Sequence, residues 1–303
     1  MNTETPAPRR CVVVGGSGAV GGMFTGLLAQ GGAMVCVVDT LRPAVSSAAQ
    51  RFIMADITAP CAEALDELVS ADLLVLAVAE PVALAAVPVV ARAMRPDALL
   101  AETMSVKTPI ATAIQGAGIQ AVGLNPMFAP SLGMAGRPVM VVIHEDGPRV
   151  PGFLQMLSND GAKLVTVDAR EHDRLTAAAQ ALTHSAILTF GLALGELEVD
   201  IEQLSSIAPP PHALMLALLA RIASGTPEVY WDIQDANPFA APARRALGNA
   251  VRHLIEVTET DGASDFAATV QRLREVLGPT LPSYRELCAR TFGGMTAPAD
   301  PTL

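Results

Sequence analysis

Short apolar runs alternate with stretches of helical spacing through the first half of the chain. Cys11 to Val14 is a run of four apolar residues, the pattern of a buried parallel strand. A glycine turn follows, then apolar residues at helical spacing (Val20, Phe24, Leu27, Leu28), then a second β-branched run from Val35 to Val38. Further strand-like runs are Leu73 to Val78, Leu99 to Glu102, Gln120 to Leu124, Val139 to Ile143 and residues 163–167. Helices are predicted over residues 62–70 and 150–159, and from Val82 to Met94 with a kink or break at Pro88. Pro43 to Phe52 reads as another helix. This alternation predicts a doubly wound parallel sheet, with ligands at the carboxyl ends of the strands. Ser17, Ala79, Ser105 and Asn125 fall at such ends.

The pattern changes after Asp168. From His172 onward the periodicity is helical and no convincing strand remains. The division predicted is an α/β domain over residues 1–168 and an all-helical domain over residues 169–303. Residues 1–9 read as a disordered tail, and Pro209-Pro210-Pro211 must interrupt a helix.

The first glycine turn carries specific chemistry. Gly16, Gly18 and Gly21 stand in the G-x-G-x-x-G register around Ser17, Ala19 and Val20. Gly16 permits the tight turn, Gly18 lets backbone approach a pyrophosphate, and Gly21 lets helix and strand pack closely. The helix N-terminus then offers N–H groups and its positive dipole end to phosphates. Asp39 closes the second strand about 20 residues on, where a carboxylate binds ribose hydroxyls. Val78 and Ala79 end the strand beside it. Asp39 favours NAD; Arg42, close by, keeps NADP in view.

Composition narrows the class. The 303 residues are half hydrophobic and carry a formal charge of −10, which argues against a nucleic-acid surface. An anionic substrate therefore needs local cations. The four cysteines lack metal-ligand spacing and read as reduced thiols of a cytoplasmic protein; no metal site is expected. The apolar stretches at 73–94 and 176–197 are interrupted by Glu80, Pro81 and Pro88, and by Gln180 and His184, so neither is a clean membrane span.

The helix over residues 172–198 is apolar all round and should be buried. Yet Asp173, Gln180 and His184 fall on one line along it. Buried polar groups need partners: either internal hydrogen bonds, or a polar wall facing a cleft. Arg221 lies in an equally apolar helix and calls for a carboxylate, from Asp173 or from a substrate.

The motifs VVVGGSGAVGG, ETMSVKTP, VGLNPMFAPSLG, EHDRLTAAAQALTHS and the Arg221 helix together resemble the prephenate dehydrogenase family, over nearly the whole chain. The resemblance implies an NAD-binding Rossmann domain and a helical domain that forms a homodimer, with the active site between them. It implies oxidative decarboxylation: hydride leaves C4 of a cyclohexadienyl dicarboxylate for NAD, CO2 is lost and the ring becomes aromatic. Ser105 would then hydrogen-bond the C4 substituent. His184 and Arg221 would hold the substrate carboxylates, Asp173 would orient Arg221, Gln180 would line the pocket and Lys107 would brace its loop.

One departure stands out. The family has His in the G-x-His-Pro-Met-Phe motif, as the base that takes the C4 hydroxyl proton; this chain has Asn125. A carboxamide is no general base, and losing one typically costs a factor of about 10² to 10⁴. Three readings follow: an inactive, NAD-binding regulatory relative; prephenate turned over with another base, such as His184; or a substrate that needs no base. An amine at C4 meets the last condition, because its lone pair can expel hydride and leave an iminium ion. Asn125 would accept an N–H and hold that amine. In this respect the chain resembles the 4-amino-4-deoxyprephenate dehydrogenases of 4-aminophenylalanine formation, which feeds antibiotic assembly. A β-hydroxyacid dehydrogenase would need a lysine in the helical part, and Lys107 and Lys163 both precede it.

Overall fold

A computed structural model describes residues 8–43, 47–259 and 262–295; most of the expected N-terminal tail lies outside them. The chain divides into two units. One comprises Met1–Thr176 with Asp235–Pro238, the other Ala177–Gln234 with Phe239–Leu303.

The first unit is built on eight strands: β1 (Arg10–Val14), β2 (Met34–Asp39), β3 (Arg51–Met54), β4 (Leu73–Leu76), β5 (Leu99–Glu102), β6 (Gln120–Pro126), β7 (Pro138–Glu145) and β8 (Lys163–Thr166). They form one sheet in the order β3-β2-β1-β4-β5-β6-β7-β8. The order reverses between β1 and β4, which is the crevice where doubly wound sheets bind ligands. Helices α1 (Ala19–Gln30), α2 (Ala62–Ser70), α3 (Glu80–Ala93), α4 (Thr108–Ile114) and α5 (Val150–Asn159) belong to the same unit. The alternation along β1 explains the two cores. Val12 and Val14 pack with Leu74 and Val90 on one face of the sheet. Cys11 and Val13 pack with Phe24 and Phe153 on the other. Burial pushes the Cys11 and Cys36 thiols up to about 12, so both are inert and protonated.

Three expectations are corrected here. The sheet is not wholly parallel: β7 runs antiparallel to β6. Only a short 3₁₀ turn, Pro130–Leu132, lies between these strands, whereas a parallel neighbour would need a full crossover. The segment from Pro43 to Phe52 is not a helix where it is described. Its end begins β3, which pairs with Cys36 to Asp39 and is tied down by Arg51 ion pairs to Glu63 and Glu67 on α2. Tertiary pairing overrides local propensity there; residues 44–46 lie outside the described set. Finally, α3 runs through Pro88 without a break.

A sixth helix, α6 (Ala169–Thr176), still belongs to the first unit. It leads into a π turn (Ala177–Leu182) and then α7 (Thr183–Glu196). The change of unit at Thr176 thus falls later than the change of sequence pattern at Asp168, because Asp173 on α6 bonds the loop before α4.

The second unit continues with α8 (Ile201–Ser206), α9 (Pro210–Ala223), α10 (Pro227–Asp235), α11 (Ala240–Glu259), α12 (Ala263–Leu277) and α13 (Leu281–Gly293). The three prolines begin α9 rather than cutting a helix, since its first turn has no use for their missing N–H groups. The helix around residues 172–198 is not buried along its length: Leu192 is 72% exposed and Leu197 69%. The helices of one chain do not cover all of its apolar faces.

Candidate active site

The turn after β1 is a nucleotide cradle. Gly15, not singled out from the motif, has φ +77°, and a Cβ there would lie 2.1 Å from the Ala77 carbonyl oxygen. Gly21 meets the Gly15 carbonyl oxygen at 2.2 Å in the same test. These positions are fixed by the protein's own packing. Gly18 is less crowded, with a Cβ there 3.3 Å from the Gly15 carbonyl oxygen, and its lack of a side chain also leaves the loop open to a phosphate. Gly18 caps α1, which has no side-chain cap and no acidic residue in its first turn at Ala19 and Val20. The N–H groups and dipole are left to an anion.

Asp39 shapes this loop. It accepts hydrogen bonds from the Ser17 N–H at 2.9 Å and the Leu41 N–H at 3.1 Å, one on each oxygen. Each oxygen keeps a further lone pair for a ribose hydroxyl. Ser17, Gly18, Asp39, Arg42, Val78 and Ala79 line one cavity of about 520 Å³. Gly16 faces Val37 instead and works by packing. The residues present therefore fit a dinucleotide.

The loop from Thr103 to Lys107 follows β5 and carries Ser105, which is half-buried. It is anchored by a cluster of buried charges. The Lys107 ammonium donates to both oxygens of Glu102 at 2.8 and 2.9 Å and to the Leu124 carbonyl at 3.1 Å. His144 lies 2.8 Å from Glu102 Oε1, and the Met104 N–H donates to Oε2 at 2.7 Å. Both members of the ion pair are fully buried. Burial pushes the Glu102 carboxyl up, but Lys107 and His144 outweigh it and hold the group below its ordinary value. Lys107 thus braces the loop, as expected of it. Glu102 and His144 were not expected as its partners.

At the end of β6, Asn125 is 4% exposed. Its Nδ2 lies 3.0 Å from His172 Nε2. The other ring nitrogen of His172 lies 2.8 Å from Asp173 Oδ1. Asp173 also accepts from the Lys107 N–H at 2.7 Å and from the Thr108 N–H and hydroxyl. Its four acceptor sites are filled. The expectation that Asp173 orients Arg221 is replaced by this set of loop partners. His172, absent from the sequence candidates, joins Asn125 to the loop that carries Ser105.

This network sets an acid limit on stability. Burial depresses His172 below its ordinary 6.5, outweighing the pull of Asp173. Asp173 is held below its ordinary 3.8: burial raises it, but bonds from His172, Thr108 and Lys107 prevail. An unfolded chain takes up a proton near pH 6.5 that folded His172 refuses, so His172's contribution is complete above that pH and declines below it. Below pH 3.8 Asp173 adds its own loss. Urea unfolding midpoints should fall as the pH drops below about 6.5; a flat or rising profile there would contradict this.

The second unit holds Gln180, His184 and Arg221. Gln180 lies in the π turn, so the 3.6-residue spacing that aligned it with Asp173 is interrupted. His184 stacks edge-on against Tyr230 with ring centroids 5.0 Å apart. Burial lowers its pKa and Arg221 lowers it further, so the imidazole is neutral beside a guanidinium. Gln180 Oε1, His184 Nδ1 and His212 Nε2 are buried with no hydrogen-bond partner among the described residues. Arg221 itself is exposed and, among the described residues, forms no ion pair. Of these, His184 lies close enough to Arg221 to feel its charge, and an unmatched polar atom beside a free cation is what an anionic, hydrogen-bonding ligand would complete.

A dinucleotide cradle on a doubly wound sheet, joined to a helical unit with a cation and unpaired polar groups, defines a dehydrogenase of small acids. Comparison with known proteins agrees. The family model "Prephenate dehydrogenase, dimerization domain" matches residues 168–275. A 4-amino-4-deoxyprephenate dehydrogenase of Streptomyces pristinaespiralis is 52% identical over 285 residues, covering 93% of this chain and 96% of the relative. The T-protein of Enterobacter agglomerans is 30% identical, covering 92% of this chain and 70% of that protein. Among solved structures, prephenate dehydrogenase from A. aeolicus with hydroxyphenyl propionate and NAD+ aligns with a TM-score of 0.72 at 17% identity, over 90% of this chain and all of that one. Synechocystis arogenate dehydrogenase aligns at 0.66 with 16% identity, over 91% and 99%. The chain belongs to the prephenate dehydrogenase family, and it is an oxidoreductase.

Proposed function

We propose that the chain converts 4-amino-4-deoxyprephenate to 4-aminophenylpyruvate by oxidative decarboxylation with NAD. The observation that carries this reading is the carboxamide of Asn125, held through its nitrogen by His172 at the end of β6. Gly18, Ser17, Asp39, Val78 and Ala79 would hold NAD, which would supply the acceptor for the hydride that leaves C4. Asn125 accepts an N–H of the C4 amine and leaves the nitrogen lone pair free to push electrons toward C4. No side chain need take a proton during that step, which suits a site that offers an amide. Loss of CO2 from C1 then sends the bonding pair into the ring and gives the neutral aniline. Starting from the neutral amine, substrate, NAD+ and products balance without a released proton; an ammonium substrate first gives one proton to water.

Ser105 hydrogen-bonds the C4 substituent. Arg221 and neutral His184 hold the carboxylates, with Gln180 beside them; this answers the need for local cations in a chain of charge −10. Asp173 serves the substrate indirectly, through the loop it ties. The 52% identical relative carries the same substrate in its name, which supports the reading. The cysteines are all free, which suits a soluble cytoplasmic enzyme. One helical run, Ala169–Glu196, is long and apolar enough by composition to cross a membrane. It lies wholly within the matched dimerisation domain, and its exposed leucines suit contact with a second copy in a homodimer. The test is product analysis: the amino substrate with NAD should give NADH, CO2 and 4-aminophenylpyruvate in equal amounts. NADH formation absent from that mixture would end the proposal.

A further inference from the structure

We propose that His172 is a positioning residue that sets the preference for an amine: locked by Asp173 with its proton on Nδ1, it fixes which way the Asn125 amide points. This rests on the substrate reading above. The oxygens of Asp173 accept from two loop N–H groups, one hydroxyl and His172 Nδ1. A carboxylate only accepts, so Nδ1 must carry a proton. Nε2 of a neutral ring is then an acceptor, and the Asn125 atom 3.0 Å from it must be the Nδ2 donor. Oδ1 is left as the outward-facing acceptor.

The reverse orientation would need a proton on both ring nitrogens, an imidazolium. The ring is fully buried. The groups that face it are Asn125 and Asp173, with Lys107 and Glu102 acting at longer range by charge. Lys107 opposes a second positive charge. An amide pinned this way accepts from the amine's N–H and raises electron density on nitrogen. Turned over, it would donate into the lone pair that must expel hydride. His172 thus acts through Asn125 and touches no reacting atom. Neither residue reveals this in sequence, since they stand 47 positions apart.

A double-mutant cycle tests it. In His172→Gln the side-chain amide can present either end, so the pin is lost. Its kcat for the amino substrate should fall about tenfold or more with KM little changed, and the same substitution in an Asn125→Ala background should change kcat by no more than about twofold. Equal losses in both backgrounds would mean a merely structural role and overturn the proposal. A second measurement works even if His172→Gln fails to fold. Ring ¹⁵N shifts of His172 in the NAD-loaded wild-type enzyme at about pH 7 should show a protonated Nδ1 and a bare Nε2. An Nε2–H tautomer or an imidazolium would overturn the proposal whatever the substrate. If the wild-type enzyme ignores the amine, the substrate reading fails, and the ring shifts still decide the amide's orientation.

Discussion

Asn125→His should gain prephenate turnover by about 10² to 10⁴, the usual worth of a general base. The site is already built to receive an imidazole. One N–H of the new ring can donate to His172 Nε2, which now accepts from Asn125 at 3.0 Å. The other nitrogen is then free to take the C4 hydroxyl proton, and His172 and Asp173 become its orienting chain. The same variant should lose turnover of the amine: when protonated, the new ring repels the ammonium form, which must shed its proton before its lone pair can expel hydride. Steady-state NADH formation with both substrates measures the exchange. Failure to gain any prephenate activity would place the discrimination elsewhere in the protein.

The second large effect concerns stability. Lys107→Met removes the ammonium from a carboxylate that is fully buried. Breaking a buried pair from one side typically costs about 3–5 kcal/mol, because the remaining charge stays desolvated. His144 and the Met104 N–H would still bond Glu102, but neither replaces a full charge. The melting transition should fall by about 10 °C. Adding Glu102→Gln should restore part of the loss, since the stranded charge is gone. A single-mutant loss below about 1 kcal/mol would contradict this reading of the pair.

Much of this was legible in the chain itself. The cradle could be read because each glycine, the helix and Asp39 are local and periodic. Asn125 stood out because one residue departs from an otherwise kept motif. Other features needed coordinates. Gly15 is required by the carbonyl of Ala77, just past the end of the neighbouring strand, which no local pattern records. β3 exists because β2 offers it an edge and α2 offers it two glutamates. His172 looked like any histidine in an acidic helix start until the sheet brought Asn125 to it. Asp173 has the charge to suit Arg221, but its partners are N–H groups and a hydroxyl of a distant loop, which weighing charge against charge does not reveal.

Nitrogen at C4 takes the part that a basic side chain plays for a hydroxyl substrate. The most direct measurement is kcat/KM for 4-amino-4-deoxyprephenate and for prephenate, side by side, with NAD saturating. The amine should be favoured by a factor of about 10² or more. Equal values, or a preference for prephenate, would contradict the account.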